Sequence, residues 1–167
     1  MAEKTLEDLF HDTLKDIYYA ERKILSALPK MAKAAQSEKL KAAFQKHRDQ
    51  TETQVERLVQ VFGIIDEKPQ GKTCPGINGI LEEGTEMIED FKGTVALDAA
   101  LISAAQAVEH YEITRYGTLK RWAENLGLTE AVELLKETLE EEEQTDVDLS
   151  ALADSSANPK AQQVAAE

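Results

Sequence analysis

Two glutamates three residues apart interrupt what otherwise reads as the buried face of a helix. They are Glu109 and Glu112, in the segment AVEHYEITRYGTL, and Tyr116 and Leu119 resume the apolar spacing after them. Carboxylates buried together repel one another and lose their hydration, which costs several kcal/mol for each uncompensated charge. Such groups must take up protons, pair with cations or bind metal. The pair therefore requires partners elsewhere in the chain.

Polar residues interrupt three other apolar stripes in the same way. Written at alternating spacings of three and four, the period of a helix-bundle core, each stripe is apolar at both ends and polar in the middle. The polar residues are Glu21 on the first stripe, His47, Thr51 and Gln54 on the second, and Glu142 and Asp146 on the fourth. Glu21 and Thr51 lie at similar distances from a turn near residue 36, and so do Glu112 and Glu142 from a turn near residue 127. We therefore expect the polar positions to meet in one layer.

This layer predicts a carboxylate-rich metal site inside the bundle. We expect the principal ligands to be Glu21, Glu109, Glu112 and Glu142, and the secondary ones to be His47, Gln54 and Asp146. Ligands that are mostly oxygen suit iron, manganese, magnesium or calcium rather than a structural zinc ion. Two alternatives stay open, because His47 also fits a hydrogen-bonded core histidine and Asp146 an ordinary flanking residue.

Neighbouring residues carry weaker expectations. In the run LEEEEQ, residues 139–144, only Glu142 falls on the stripe, and the rest is expected to be solvated. His110 is expected to point away from the layer. Tyr18 and Tyr111 flank the stripes and could donate hydrogen bonds to a carboxylate, whereas Tyr116 fits core packing. The arginines are expected to be exposed.

Four long amphipathic helices and one short helix must position these residues. They are expected from Thr5 to about Ala35, from Ser37 to Gly63, from 77 to 91, from Gly93 to Gly127 and from Thr129 to Ala153. Thr5 with Asp8 resembles a capping box, and Ser37 and Thr94 are the expected N-caps of two later helices. Pro29 is expected to kink the first helix or end its regular part.

The connections predict an all-α fold, a ferritin-like four-helix bundle. Short turns join the first two and the last two long helices, so each pair is expected to form an antiparallel hairpin. The loop 66–76 and the short helix form a long crossover between the hairpins, which is typical of ferritin-like connectivity. The bundle is expected to occupy residues 1–153, followed by a flexible C-terminal tail, 154–167, that lacks periodicity.

Composition limits the possible partners and location. The net charge of −13 at pH 7 argues against binding to nucleic acid or to an anionic membrane surface. Cys74 is the single cysteine, so no disulfide framework is expected and a loop thiol is the simplest interpretation. No apolar run has the length of a membrane span, and the N-terminus lacks a signal-peptide pattern. The cytoplasm is the expected location.

Several motifs in order resemble the YciF/YciE-like stress-response family of the ferritin-like superfamily. They are LEDLFHDTLKDIYYAERKILSALPKMAKAA, LKAAFQKH with QVERL, GKTCPGI, AVEHYEITRYGTL and ETLEEEEQTD, and the resemblance extends from about residue 4 to residue 153. It implies a four-helix ferritin-like bundle in the bacterial cytoplasm, a homodimer and an association with stress responses. The biochemical activity of that family is poorly defined, so the resemblance implies no reaction.

The wider superfamily includes rubrerythrin-like di-iron proteins, which carry Glu-x-x-Glu on the third bundle helix and Glu-x-x-His on the fourth. Glu109 and Glu112 match the first motif, and Glu142 matches the glutamate of the second. Thr145 stands where that histidine would be, and Gln50 stands where an acidic residue is expected on the second helix. The second helix also lacks a Glu-x-x-His motif, so both histidine ligands of the di-iron pattern are absent. The similarity therefore leaves open a single weakly held metal, or none.

Two functions follow as hypotheses. The first is a ferritin-like stress protein with an intrabundle metal site, where iron, possible as a di-iron centre, manganese or another divalent metal would bind. Iron would imply oxidation of ferrous iron or reduction of peroxide. The second is a non-catalytic interaction protein whose metal-free polar core is a hydrogen-bonded network with raised carboxylate pKa values. The retained glutamates favour the first, and the missing histidines favour the second.

Overall fold

The computed structural model describes residues 3–163, and these residues form helices with no strand. The elements are α1 (Leu6–Ala34), α2 (Glu38–Ile64), α3 (Pro75–Asp90), α4 (Leu97–Asn125), α5 (Thr129–Leu152), a π-helical turn (Ala153–Ala157) and α6 (Asn158–Ala161). The predicted all-α class is confirmed, and the five main helices lie where the periodicity placed them. None of the described helices is both long enough and apolar enough to cross a membrane.

The four long helices surround a common core. α1 packs against α2 and α4, and α5 packs against α2 and α4, so each long helix has two long neighbours. α3 lies outside this group and packs against α4 and α1. The connecting segment and α3 thus carry the chain from the first pair of helices to the second.

Apolar side chains fill the two ends of this core and leave its middle to polar groups. Toward the α1–α2 turn the fully buried residues include Leu28, Leu40, Phe44, Leu101, Ile102 and Leu149, and toward the opposite end they include Phe10, Leu14, Val61, Phe62, Leu119, Ala123 and Leu135. Burying a side chain of this size contributes about 1.5–3 kcal/mol. These two apolar ends therefore stabilise the helices on both sides of the polar layer.

The predicted caps of α1 and α2 are found, but α2 is held differently from the expectation. Thr5 and Asp8 form the capping box of α1. Ser37 is the N-cap of α2, yet its side chain makes no capping hydrogen bond. Instead Asp98 of α4 accepts hydrogen bonds from the backbone amides of Gln36 at 2.7 Å and Ser37 at 2.9 Å. The turn between α1 and α2 is therefore anchored by the start of α4.

One local prediction is wrong, and so is one of the two alternatives given for Pro29. Thr94 does not cap α4, whose N-cap is Ala96. Thr94 instead donates its hydroxyl hydrogen to the carbonyl of Phe91, because the left-handed Gly93, with φ of 77°, folds this segment into a turn first. Pro29 does not end α1, which continues to Ala34. Leu28 and Met31, on either side of this proline, are buried in the core, and their packing favours a continuous helix across the missing amide.

Regular structure continues beyond the predicted end of the bundle. Residues 154–161 were expected to be a frayed tail, but they complete the π-helical turn and α6, with Ala157 only 5% exposed. Lys160 donates a hydrogen bond to the side chain of Gln36 at 2.9 Å. The segment lacked a recognisable apolar period because Ala157 alone is buried. Residues 164–167 of the predicted tail lie outside the described residues, and the division at residue 153 stays a prediction.

Candidate metal centre

Four side chains from three helices converge in the middle of the core. His47 of α2, Glu109 and Glu112 of α4, and Glu142 of α5 each place one possible ligand atom within 4.8 Å of all the others. None of the four residues is more than 3% exposed. Nε2 of His47 lies 3.2 Å from Oε1 of Glu109 and 3.8 Å from Oε2 of Glu142. We call these four residues the His–Glu cluster.

Glu21 of α1 lies beside the His–Glu cluster and completes the polar layer. Its side chain is fully buried. It accepts a hydrogen bond from the hydroxyl of Tyr116 and interacts with Glu112. The layer therefore receives a carboxylate or imidazole from every long helix, as the stripes predicted.

Burial makes these carboxyls hold protons far more tightly than usual. Loss of solvation is the main cause that raises the pKa of Glu109 to about 8 and the pKa values of Glu112 and Glu142 well above their ordinary range. Repulsion from neighbouring carboxylates raises the pKa of Glu112 further. Desolvation also raises the pKa of Glu21, although the hydroxyl of Tyr116 opposes it. Without a cation, the layer must carry several protons at neutral pH.

The layer contains many buried polar atoms without a hydrogen-bond partner among the described residues. They are one oxygen each of Glu21, Glu109 and Gln54, both carboxylate oxygens of Glu112 and of Glu142, and both ring nitrogens of His47. Buried polar groups are normally paired, and an unpaired one costs about 1–3 kcal/mol. Because most of these atoms are oxygens, the donor set fits a cation such as iron or manganese.

The structure brings Gln54 to the layer but not Asp146. Gln54 is fully buried, and its amide nitrogen donates to Glu141 at 3.0 Å, which leaves its carbonyl oxygen without a partner. Asp146 is only half-buried and accepts a hydrogen bond from Gln106 at 3.0 Å, while its other oxygen lies 3.1 Å from Nε2 of His110. His110 is exposed and points away from the layer, as predicted.

A buried arginine supports the layer, although the arginines were expected to be exposed. Arg57 of α2 is 8% exposed. It donates to both carboxylate oxygens of Glu141, at 2.8 and 2.9 Å, and to Glu137 at 2.7 Å. Glu141 raises the pKa of Arg57 and in turn binds Gln54. The signal in the sequence was the placement of Arg57 one turn after Gln54 and directly before Leu58, at the edge of the apolar stripe.

The hydroxyl that binds a carboxylate comes from a different tyrosine than expected. Tyr116 packs in the core as predicted, and it also supplies the hydroxyl that binds Glu21. The hydroxyl of Tyr111 instead lies 2.9 Å from the buried thiol of Cys74, and burial raises the pKa of Tyr111 to about 12. Tyr18 packs edge-on against Phe62. On a helix, a residue on the apolar stripe and a residue flanking it can be neighbours in the sequence. The stripe alone therefore did not show which tyrosine hydroxyl faces the polar layer.

Comparisons with known proteins place these features in a family. A family model described as "Domain of unknown function (DUF892)" matches residues 5–162. Protein YciF of Escherichia coli (strain K12) is 47% identical over 160 residues, which cover 95% of this chain and 96% of that protein.

Two solved structures are similar across almost the whole chain. The crystal structure of the Escherichia coli stress protein YciF is 46% identical with a TM-score of 0.89, and the match covers 93% of this chain and 99% of that one. YcfI of Rhodopseudomonas palustris, for which a structural role has been suggested, is 45% identical with a TM-score of 0.86, covering 88% and 94%. The expected resemblance is confirmed: the chain belongs to the family of YciF-like stress proteins, the family whose model is DUF892.

Proposed function

We propose that this stress-protein relative is a ferritin-like four-helix bundle that binds metal in its polar layer. Two observations support the bundle: the mutual packing of α1, α2, α4 and α5, and the long crossover through α3. The domain proposed for it is residues 1–153. The buried His–Glu cluster supports the metal site.

The His–Glu cluster would hold one ion. A second ion, in a di-iron arrangement, would use Glu21 together with Glu112, which interacts with it. Iron is the metal proposed first and manganese the second, since both accept carboxylate oxygens with one imidazole. Bound iron would supply the redox chemistry for ferrous-iron oxidation or peroxide reduction.

The protein's own groups would prepare the site. The hydroxyl of Tyr116 holds one oxygen of Glu21, so that the other oxygen stays available. Arg57 binds the carboxylate of Glu141, and Glu141 accepts a hydrogen bond from the amide nitrogen of Gln54. The carbonyl oxygen of Gln54 is left without a partner among the described residues. The apolar ends of the core exclude water, which strengthens the interaction between a cation and the carboxylates.

One observation carries this proposal. Both carboxylate oxygens of Glu112 and of Glu142 are buried without a hydrogen-bond partner among the described residues, within reach of His47 and Glu109. A divalent cation compensates such oxygens and removes the repulsion that raises their pKa values.

Metal analysis of purified protein tests the proposal. The protein would be expressed without a chelating tag, and its metal content measured by plasma mass spectrometry before and after anaerobic incubation with ferrous iron. We expect one to two irons per chain, lost in Glu112→Gln. The exposed Glu143→Gln on the same helix as Glu142 is the matched control and should keep its iron. No iron or manganese above background in the wild-type protein would refute the metal site.

A metal-free function remains the second candidate, because the carboxyls can also satisfy one another. Glu21 interacts with Glu112, Glu109 interacts with Glu142, and Tyr116 binds Glu21. The layer would then be a protonated network in a bundle that serves as an interaction protein. In that case Glu112→Gln should leave the free energy of unfolding unchanged or raise it, because a neutral amide replaces a repelled carboxylate.

The remaining expectations are proposals about assembly and location. We propose a homodimer in the bacterial cytoplasm, as the family resemblance implies. Sedimentation velocity of the full chain over a range of concentrations would distinguish a dimer from a monomer.

A further inference from the structure

A groove lies between α1, α3 and α4, where α3 packs against the outside of the bundle. Of the apolar residues on α3, only Ile77 is buried, whereas Ile80, Leu81 and Ile88 remain partly exposed along the groove. The groove has a volume of about 370 Å³. These side chains pack against the core on one side, and the parts that remain exposed give the groove an apolar wall.

A narrower cavity beside the groove reaches the polar layer. This second cavity, of about 40 Å³, shares Met31, Leu81 and Val108 with the groove, and its wall includes His47 and Glu109. A volume of that size accommodates the terminal methyl and methylene groups of a chain rather than a bulky ring. Most of its wall is aliphatic or aromatic carbon, which favours an apolar occupant.

The rim of the groove is basic, although the protein as a whole is strongly acidic. Lys23 and Lys30 of α1 line it and are exposed, and neither forms an ion pair with another described residue, while Glu89 of α3 is the acidic residue on the opposite side. Ser26 and Thr85 add hydroxyl groups to the same rim. An exposed pair of lysines beside an apolar wall is complementary to an anionic head on an apolar tail.

We infer that this groove binds a free medium-chain fatty acid, with its carboxylate at Lys23 and Lys30 and its tail directed past Met31 and Val108 toward the polar layer. The inference goes beyond metal binding, because the site needs only the groove and its rim. It also rests on no feature of the His–Glu cluster other than its position at the inner end.

Binding of decanoate to the metal-free, full-length protein tests the inference. Isothermal titration calorimetry would measure the affinity of the protein for decanoate. Decanol, an uncharged molecule of the same chain length, would be titrated for comparison. Replacing both lysines, Lys23→Ala with Lys30→Ala, should weaken decanoate binding about tenfold or more, the loss of a charge-assisted interaction, and leave decanol binding unchanged.

A pair of glycine variants tests the position of the tail. A Cβ at Gly84 would lie 3.4 Å from the Cβ of Ala104, so the side chain of Gly84→Leu would occupy the groove. Gly79 lies on the same helix with nothing within 4 Å of an added Cβ, so Gly79→Leu is the matched control. We expect Gly84→Leu to abolish decanoate binding and Gly79→Leu to preserve it.

Three results would overturn the inference: no decanoate binding to the wild-type protein, equal binding by Gly84→Leu, or equal loss in both glycine variants. If Gly84→Leu leaves decanoate binding unchanged and alters only the sedimentation coefficient, a second copy of the chain covers the groove. That result also refutes the fatty-acid site. Because the titrations use metal-free protein, failure of the metal proposal would not affect them. Conversely, absence of decanoate binding would leave the metal analysis unchanged.

Discussion

At the residue scale, the charge of the polar layer depends on a few neighbouring side chains. Glu21 has the hydroxyl of Tyr116 as a donor, whereas Glu112 and Glu142 have no donor among the described residues. The positive form of His47 would lower the pKa of Glu142, but desolvation outweighs it. The layer is therefore a set of unequal carboxyls, of which Glu21 is the one held in place by a hydroxyl.

This inequality predicts the effect of Tyr116→Phe. The substitution keeps the buried ring but removes the donor to Glu21, so the pKa of Glu21 should rise further and a buried oxygen loses its partner. We expect the free energy of unfolding to fall by about 1–3 kcal/mol, measured by urea denaturation of the metal-free protein at neutral pH.

Tyr18→Phe provides the matched control for this change. The hydroxyl of Tyr18 makes no hydrogen bond within residues 3–163, and its ring packs against Phe62. We expect its stability to stay within about 0.5 kcal/mol of wild type. Equal stability of Tyr116→Phe and the wild-type protein would show that the hydroxyl of Tyr116 contributes nothing to the layer.

At the scale of elements, an arginine links α2 to α5 through several hydrogen bonds. Arg57 reaches across to Glu137, Thr138 and Glu141, and the pair with Glu141 is bidentate. Paired guanidinium and carboxylate groups of this kind fix both distance and orientation. The contact therefore contributes to the register of the two helices at the level of Gln54.

Removing that guanidinium should loosen the α2–α5 contact. In Arg57→Leu the partly buried carboxylate of Glu141 loses its cation, and we expect the free energy of unfolding to fall by about 2–4 kcal/mol. Arg48→Leu is the control, because Arg48 pairs with Glu52 on the surface of the same helix, at 2.6 Å with both side chains about half exposed. That pair should contribute no more than about 1 kcal/mol. Similar losses in the two variants would refute the special role of Arg57.

At the scale of the whole molecule, the raised carboxyl pKa values make the stability of the metal-free protein depend on pH. A carboxyl whose pKa is higher in the folded than in the unfolded state holds a proton that unfolding releases. For Glu109 this occurs between its ordinary value of 4.5 and about 8. The stabilising effect is complete below pH 4.5 and is lost as the pH rises toward 8.

We therefore expect the free energy of unfolding of metal-free protein to fall between pH 5 and pH 8. Each such carboxyl contributes a slope of up to about 1.4 kcal/mol per pH unit. Glu109→Gln, which cannot titrate, should show a shallower slope in urea denaturation across this range. The exposed pair of Asp12 with Lys72 does not interfere, because Lys72 lowers the pKa of Asp12 below 3.8. Stability that is constant or rises over this range would contradict protonation of the layer.

The helices were largely predictable, because their signals are local. The capping box at Thr5 and the period of the apolar residues placed α1, α2, α4 and α5 to within a few residues. The failures were positions where a distant contact decides the outcome. The backbone amide of Ser37, the N-cap of α2, donates to Asp98 from another helix. Residues 154–161 are helical although their sequence has no apolar stripe.

The candidate site was predictable only in part. Glu21, Glu109, Glu112 and Glu142 were found because a polar residue on an apolar stripe is recognisable within one helix. Asp146 was expected as a possible ligand, but it turns toward Gln106 and His110 instead. Arg57 and the hydroxyl of Tyr116 were missed, since each derives its role from a partner on another helix.

The sequence by itself determined which residues share a face of each helix, because the helical period is a property of the local chain. It thereby determined that charged groups would enter the core near its middle. Only the tertiary structure decided which atoms face one another across the helices, that His47 joins the three glutamates, and that α3 leaves a groove open beside Met31. The physical reason is that rotation and register between packed helices depend on all their side chains together, and a shift of one position exchanges a buried group for an exposed one.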